Sequence, residues 1–255
     1  MTAAMRQPVL AAALALACAV APLSAPRAAR HAGLGAHRAR PAQGYTRAAE
    51  HILTQARAAS GGDAWSTLRG WHELGRDDAT TYEAWFDPLR YGMRVETQEL
   101  VGKRVHGFNG QGDWQILPDG TTLTDDDAAG VAGTRTQAFF GAAGYFHRAR
   151  FDAQGEVLNL RQGSGQAFDV VLVKPWGGNA RELWFDRRTH LLARMVDRSG
   201  PKPRTLQLSD YRRVGPIMVA FQTTTDSGDS LTQRRLDSVV FTPCDRALFS
   251  LPRQG

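Results

Sequence analysis

The feature that most constrains this chain is a succession of short alternating runs separated by polar or glycine-rich turns. Residues 181–196 show it most clearly. Trp184, Phe185, Met195 and Val196 are aromatic, long or β-branched side chains that suit a pleated, half-buried surface. Between the two runs lies a polar connection, in which Asp186 can accept a hydrogen bond from the backbone two residues on. We interpret this stretch as a β-hairpin within an antiparallel sheet.

Runs of the same kind fill most of the chain beyond residue 70. The other predicted strands are residues 70–75, 80–86, 90–100, 103–108, 114–117, 157–161, 167–173, 205–211, 217–224 and 231–241. Glycine-rich residues 109–112 and polar residues 226–229 are typical of hairpin turns. Short strands at near-regular spacing, with few helices between them, favour an antiparallel sheet that curls and disfavour a parallel α/β fold.

Two segments have a helical pattern. Residues 45–60 form a long N-terminal helix, since Thr46 suits the N-cap, Leu53 lies on an apolar stripe, and Gly61 follows the end. Residues 124–146 begin with acidic side chains, which are stabilising at a helix N-terminus, and continue with aromatic residues. We interpret them as a helical or irregular insert that covers the sheet.

The charge distribution argues against a nucleic-acid partner. The chain has 31 Lys and Arg residues against 25 Asp and Glu residues, and a pI near 9.8. Every acidic residue lies at or after Glu50, while the first six arginines precede it, so the remainder is formally neutral. The basic surplus therefore belongs to the N-terminal segment, and the predicted domain has no net positive charge that would favour binding to phosphates.

The N-terminus has the pattern of an export signal. A short start ending in Arg6 precedes an Ala- and Leu-rich run over residues 9–23, too short for a comfortable membrane span. Ala19 and Ala21 fit the small-x-small cleavage rule, although Pro22 follows them, and Leu23-Ser24-Ala25 is a poorer alternative. We therefore predict a signal peptide in residues 1–25, a flexible tether in residues 26–44 and a periplasmic location.

Cys18 offers an alternative at this end of the chain. Residues 14–18 resemble a lipobox, in which a lipidated cysteine becomes the new N-terminus, although Ala15 stands where Leu is usual. A membrane-anchored lipoprotein is therefore the alternative to simple cleavage. Either way Cys244 has no cysteine to pair with, so the fold must rest on its core.

Five motifs occur in order along residues 46–252. They are Ala58-Ala59-Ser60-Gly61-Gly62 with Ala64-Trp65 and Leu68-Arg69-Gly70; Asn109-Gly110 before Trp114; Leu183-Trp184-Phe185-Asp186 with Thr189-His190-Leu191-Leu192; Ser209-Asp210-Tyr211-Arg212 with Val214-Gly215 and Phe221; and Pro243, Asp245, Leu248-Phe249 and Pro252. Together they resemble the LolA/LolB-like periplasmic lipoprotein-carrier superfamily. The sequence departs from that family at Ala220, where a proline usually precedes the phenylalanine.

The resemblance implies an α+β fold that is mainly antiparallel β: a curved half-open β-barrel wrapped around one long N-terminal helix and a helical insert, within residues 45–255. It also implies an apolar cavity that receives a lipid, a lipoprotein acyl chain or another apolar ligand. No catalysis, cofactor or metal is implied. The alternative is a non-catalytic interaction or accessory domain for another cell-envelope protein, with a core filled by side chains.

Large apolar side chains on the predicted strands and insert are the candidates for lining such a cavity. They are Trp85, Met93, Val95, Phe139, Phe140, Phe146, Val171, Val173, Trp184, Met195 and Phe221. The alternative for the same set is a dry, packed core. A one-residue error in the assigned strand alternation would exchange the two faces of the sheet, so the prediction also states which face each of these side chains occupies.

Four short patterns resemble catalytic or metal motifs, and each has a simpler explanation. His72-Glu73 begins like a zinc-protease motif, but Arg76 stands where the second histidine belongs. Asp226-Ser227-Gly228 matches an aspartic-protease tripeptide but follows a polar run, which indicates a turn. Residues 163–165 lack the spacing of a nucleophile elbow. Residues 125–127 could attract a cation, although a helix start explains them. We therefore expect a protein that is not an enzyme.

Overall fold

The computed structural model describes residues 44–125, 127–163 and 165–252. The predicted signal peptide and all but the last residue of the predicted tether lie outside these ranges. The first half contains β1 (Gly44–Tyr45), α1 (Arg47–Ser60), α2 (Ala64–Thr67), β2 (Trp71–Asp77), β3 (Thr80–Asp87), β4 (Gly92–Glu99), β5 (Gly102–Asn109), β6 (Asp113–Ile116) and β7 (Thr122–Asp125).

The second half begins with a helical segment and returns to strands. It contains α3 (Ala128–Gly141), a 3₁₀ turn (Gly144–Phe146), β8 (Ala153–Gly163), β9 (Gln166–Pro175), β10 (Arg181–Asp186), β11 (Leu192–Asp197), β12 (Arg204–Val214), β13 (Ile217–Asp226), β14 (Leu231–Val240) and a final 3₁₀ turn (Arg246–Phe249).

The fourteen strands of the described residues belong to one sheet in the order β1-β8-β9-β10-β11-β12-β13-β14-β2-β3-β4-β5-β6-β7. Every neighbouring pair is antiparallel except β1 and β8, which are parallel. Within the described residues the end strands β1 and β7 do not pair, so the sheet stays open. The predicted antiparallel fold is confirmed. Two strands were missed, of 2 and 4 residues, because such short elements show little period. Gly44, which we assigned to the tether, pairs with Gln154.

Helix α1 begins and ends where its sequence signals predict. The Thr46 side chain accepts a hydrogen bond from the Ala49 amide at 3.3 Å, and the Gly61 amide donates to the Arg57 carbonyl. Gly61 has a φ of 152°, and a Cβ there would lie 2.5 Å from Cδ1 of Ile217, so glycine permits the close approach of α1 to β13.

Asp127 is the N-cap of helix α3, and its side chain accepts a hydrogen bond from the Gly130 amide. The predicted helix start therefore lies at the end of residues 124–127. Thr124 and Asp125 instead close strand β7, and Asp126 falls outside the described ranges. No helix in the described part of the chain is both long and apolar enough to span a lipid bilayer.

The two long helices cover the same face of the sheet, which we call the inner face. Helix α1 contacts β8, β9 and β13, whereas α3 contacts β5 and β6. Leu53 of α1 and Phe139 of α3 are buried in one apolar cluster with Met93, Val171 and Leu183 of the strands. The predicted half-open barrel around an N-terminal helix and a helical insert is thus confirmed.

The opposite, outer face carries a second packing arrangement at the C-terminus. Trp114 of β6 lies across Gly107 of β5, where an added Cβ would be 2.1 Å from the indole ring. The Trp114 indole N–H donates to the Phe249 carbonyl at 2.9 Å, and Arg94 donates to the Leu248 carbonyl at 3.2 Å. The missing side chain of Gly107 therefore lets Trp114 hold the last 3₁₀ turn against the sheet.

We expect Gly107→Ala to lower the free energy of unfolding by about 2 kcal/mol, because the new methyl group overlaps the Trp114 ring. Urea denaturation measures this change. Gly112→Ala is the matched control in the adjoining turn, where an added Cβ meets nothing within 4 Å, and its effect should stay within about 0.5 kcal/mol. Equal effects of the two substitutions would contradict the steric explanation.

Candidate functional site

Most of the predicted cavity residues lie together on the inner face. Seven are buried in the apolar cluster between the sheet and the helices: Met93, Phe139, Phe140, Phe146, Val171, Val173 and Met195. Val95 and Phe221 are half-buried at the edge of this cluster. The seven buried residues contact other side chains, so in this conformation they form core and not open cavity wall.

Trp85 and Trp184 are the two that the structure places on the outer face. Trp85 stacks on the His72 ring with a centroid separation of 4.8 Å. The Trp184 indole N–H donates to Glu182 at 3.0 Å, and the Arg194 guanidinium lies 5.0 Å from the ring centroid. Each tryptophan has a phenylalanine neighbour in the chain that occupies the inner face, and strand alternation sends the tryptophan to the other side.

A strip of half-buried apolar side chains continues the inner face beyond the core. This inner strip consists of Leu206 and Leu208 of β12, Val219 and Phe221 of β13, and Leu236 of β14. Leu206 pairs with Met195 on one side and Thr225 on the other, and Leu208 pairs with Thr223. The strip therefore runs along β12 and β13 from the core outward, over roughly 20 Å at about 3.3 Å per residue.

Of these five residues only Phe221 was among our candidates. Leu206 and Leu208 alternate with polar residues in the predicted strand 205–211, and this period-2 pattern is the signal that could have identified them.

Polar side chains border the inner strip on β2, β3 and β14. Arg234 forms a two-point ion pair with Asp77, and its guanidinium lies 4.2 Å from the Tyr82 ring centroid. Burial raises the pKa of Tyr82, so its hydroxyl is a neutral donor, and it has no hydrogen-bond partner within the described residues. Burial also raises the pKa of Glu73, against the opposing effects of Arg234 and of a hydrogen bond from Trp71.

A small hollow lies on the outer face instead. Its volume is about 230 Å³. One wall is apolar and is formed by Leu172 and Val196, and the other is charged and is formed by Lys174, Glu182 and Arg198. Glu182 already accepts hydrogen bonds from Trp184 and Arg198, so its carboxylate is occupied. An acyl chain finds less continuous apolar surface in this hollow than on the inner strip.

The sequence patterns that resemble enzyme motifs have structural roles where they are described. His72 lies on a strand and contacts Glu83 at 2.7 Å, and the Asp226 carboxylate accepts from the Gly228 amide at 2.8 Å in a hairpin turn. Ser164 lies outside the described residues. Nowhere in the described ranges do three His, Cys, Asp or Glu side chains converge as metal ligands. Burial raises the pKa of the Cys244 thiol, consistent with a passive thiol.

No protein-family model and no curated protein match the sequence. Solved structures do match the fold. A LolA superfamily protein from Nitrosomonas europaea, NE2245, is 12% identical with a TM-score of 0.52, over 80% of this chain and 97% of that one. The fold is LolA-like. A DUF1329 family protein from Desulfovibrio piger is 11% identical with the same TM-score, over 80% of this chain and 98% of that one. Likeness at this identity shows the shared architecture alone.

His147 follows the 3₁₀ turn Gly144–Phe146 and is only 5% exposed. Its ring centroid lies 6.3 Å from that of Trp65. Burial, together with the nearby Arg150 and Arg57, lowers its pKa to about 4. The unfolded chain would bind a proton near pH 6.5, while the folded protein excludes it until about pH 4. The stability contributed by neutral His147 is therefore complete above pH 6.5 and is lost as the pH falls through this window.

Between pH 7 and pH 5 we expect the free energy of unfolding to fall by about 1–2 kcal/mol more in the wild type than in His147→Phe, after allowance for solvent screening. Urea titrations at several pH values measure the two slopes. His51→Gln, on the exposed surface of α1, should retain the wild-type slope. An unchanged slope in His147→Phe would show that folding does not shift the His147 pKa.

Proposed function

We propose that this chain is a non-enzymatic binding or carrier module for a lipid, a lipoprotein acyl chain or another apolar ligand. The observation that supports the proposal is the inner strip, where adjoining strands present apolar side chains that the helices leave half-buried. A LolA-like fold around this strip supports the same function. The strip is long and narrow, which suits an extended chain better than a compact ring system.

The energetics favour such a ligand. Each buried CH₂ group contributes about 0.8 kcal/mol, so an acyl chain of medium length gains several kcal/mol even when one side stays exposed. The core beside the strip is closely packed, and Leu53 and Phe139 are almost completely buried there. A chain that entered further would have to displace α1 from Ile217 or α3 from β5 and β6. We therefore propose that the ligand lies along the strip, beside the helices.

We propose the periplasm as the place of action. The predicted signal peptide in residues 1–25 and the LolA-like fold support export. A lipid-anchored form through Cys18 remains the alternative, and the mass of the mature N-terminus distinguishes the two. The motifs that resemble enzyme sites lie on a strand or in a polar turn, and this supports a function without catalysis.

A second candidate function is that of an accessory domain for another cell-envelope protein. The observation that favours it is the tip of the β4–β5 hairpin, where Leu100 is 101% and Val101 78% exposed. Two adjacent apolar side chains at a protruding turn are suited to contact with a partner. A filled core is also what an interaction domain without a ligand requires.

The first test is native mass spectrometry of the exported protein, followed by organic extraction and displacement of a fluorescent apolar probe. We expect a bound lipid or tight probe binding. Leu208→Gln should weaken probe binding about tenfold, because it places an amide in the strip. Leu74→Gln makes the same change on the outer face, where Leu74 is 41% exposed, and should have no effect.

Absence of both co-purified lipid and probe binding would overturn the carrier function. The accessory function then predicts that crosslinking captures a specific envelope protein. Leu100→Ser combined with Val101→Ser should abolish that crosslink, whereas Leu208→Gln should leave it intact.

A further inference from the structure

A row of charged side chains lies on the inner face, next to the end of the inner strip that Leu206 forms. Arg181 of β10 lies directly opposite Asp197 of β11 in the sheet, and Asp197 lies opposite Arg204 at the start of β12. The next inner row consists of Leu183, Met195 and Leu206. Arg204 therefore lies two residues along the strand from Leu206, on the same face, roughly 7 Å away.

The carboxylates close to Arg204 are already occupied. One oxygen of Asp197 accepts from Arg181 at 3.0 Å, and the other accepts from the Ser199 amide and hydroxyl at 2.9 and 2.6 Å. Both oxygens of Asp77 accept from Arg234. Burial raises the pKa of Asp197, but the hydrogen bonds from Ser199 and Arg181 outweigh it and lower the pKa overall, so Asp197 is ionised and both its oxygens already accept hydrogen bonds.

The side chain of Arg204 is left as the cation of this row without an ion pair or hydrogen bond among the described residues. The residue as a whole is exposed at the rim, although its guanidinium is partly surrounded by protein and lies near Arg234, Asp197 and Asp77. Burial and Arg234 lower its pKa, while the two aspartates raise it, and a guanidinium with this pKa remains charged. Its five N–H donors form a planar fork that matches carboxylate and phosphate oxygens.

We propose that the inner strip binds the acyl chain of an anionic amphiphile whose carboxylate or phosphate headgroup is held by Arg204. The chain would lie along Leu206, Leu208 and Phe221, and the headgroup would meet the free guanidinium at the rim. The proposal rests on the proposed function, because a headgroup is held here only if an acyl chain occupies the strip. A cationic headgroup would face an unpaired arginine and is disfavoured.

Probes with one chain length and different headgroups test this directly. Dodecanoate, dodecyl phosphate and dodecanol are titrated against a fluorescent apolar probe bound to the purified full chain at pH 8. We expect at least one of the two anions to bind about tenfold more tightly than dodecanol. The stronger anion identifies the headgroup chemistry, and added salt should reduce its advantage.

Arg204→Gln should remove the preference for the anion and leave dodecanol binding unchanged. Arg204→Lys should keep part of the preference, since the charge remains but the fork is lost. Arg235→Gln is the matched control: it removes the same charge from an exposed outer-face position on β14, where Arg235 contacts Gln233, and should bind like the wild type.

Equal affinities for dodecanol and both anions, or the same loss in Arg204→Gln and Arg235→Gln, would overturn the assignment of Arg204 and leave the carrier function standing. Failure of all three probes to bind would overturn the carrier function itself. The two failures are therefore distinguishable within one set of titrations.

Discussion

Burial of one apolar face of an open antiparallel sheet is the constraint on which this structure depends. A sheet whose edge strands stay apart cannot cover its own interior, so other elements must remove that face from water. Helix α1 brings Leu53, and α3 brings Phe139 and Phe140, onto Met93, Val171 and Leu183. Hydrophobic stabilisation scales with the apolar area buried, at about 25 cal/mol per Å². The helical cover is thus as much a condition of the fold as the strands are.

The cover does not extend over the whole inner face, and this incompleteness is what gives the molecule a candidate function. Where α1 ends, Gly61 brings it against Ile217, which is completely buried. Further along β13, Val219 and Phe221 are only half-buried. These side chains remain partly hydrated, so a ligand that covers them gains the hydrophobic free energy that the helices leave unused. The same geometry keeps the core intact while a ligand binds beside it.

The charged residues on the inner face follow from the cost of removing charge from water. A carboxylate in such a place persists only when its oxygens are hydrogen-bonded, and Asp77 and Asp197 meet that condition through Arg234, Arg181 and Ser199. Because those acceptors are taken, Arg204 remains available at the rim. On the outer face, aromatic rings stabilise the charged groups instead: Arg194 lies over Trp184, and Arg94 lies 6.0 Å from the Trp85 ring centroid.

The sequence by itself determined the local structure. Strand periods, the Thr46 cap and the turn in which Asp186 accepts from Arg188 and Thr189 depend on residues a few positions apart, so the sequence was sufficient to predict them. Only the tertiary structure decided which face of each strand points inward. Both Trp85 and Phe86 are suitable core residues, and the helices cover only the face that carries Phe86. The strip and the free Arg204 depend likewise on where α1 ends and on which acceptors distant strands have already engaged. Alternation along a strand defines two faces, but the packing of distant elements determines which of them is buried.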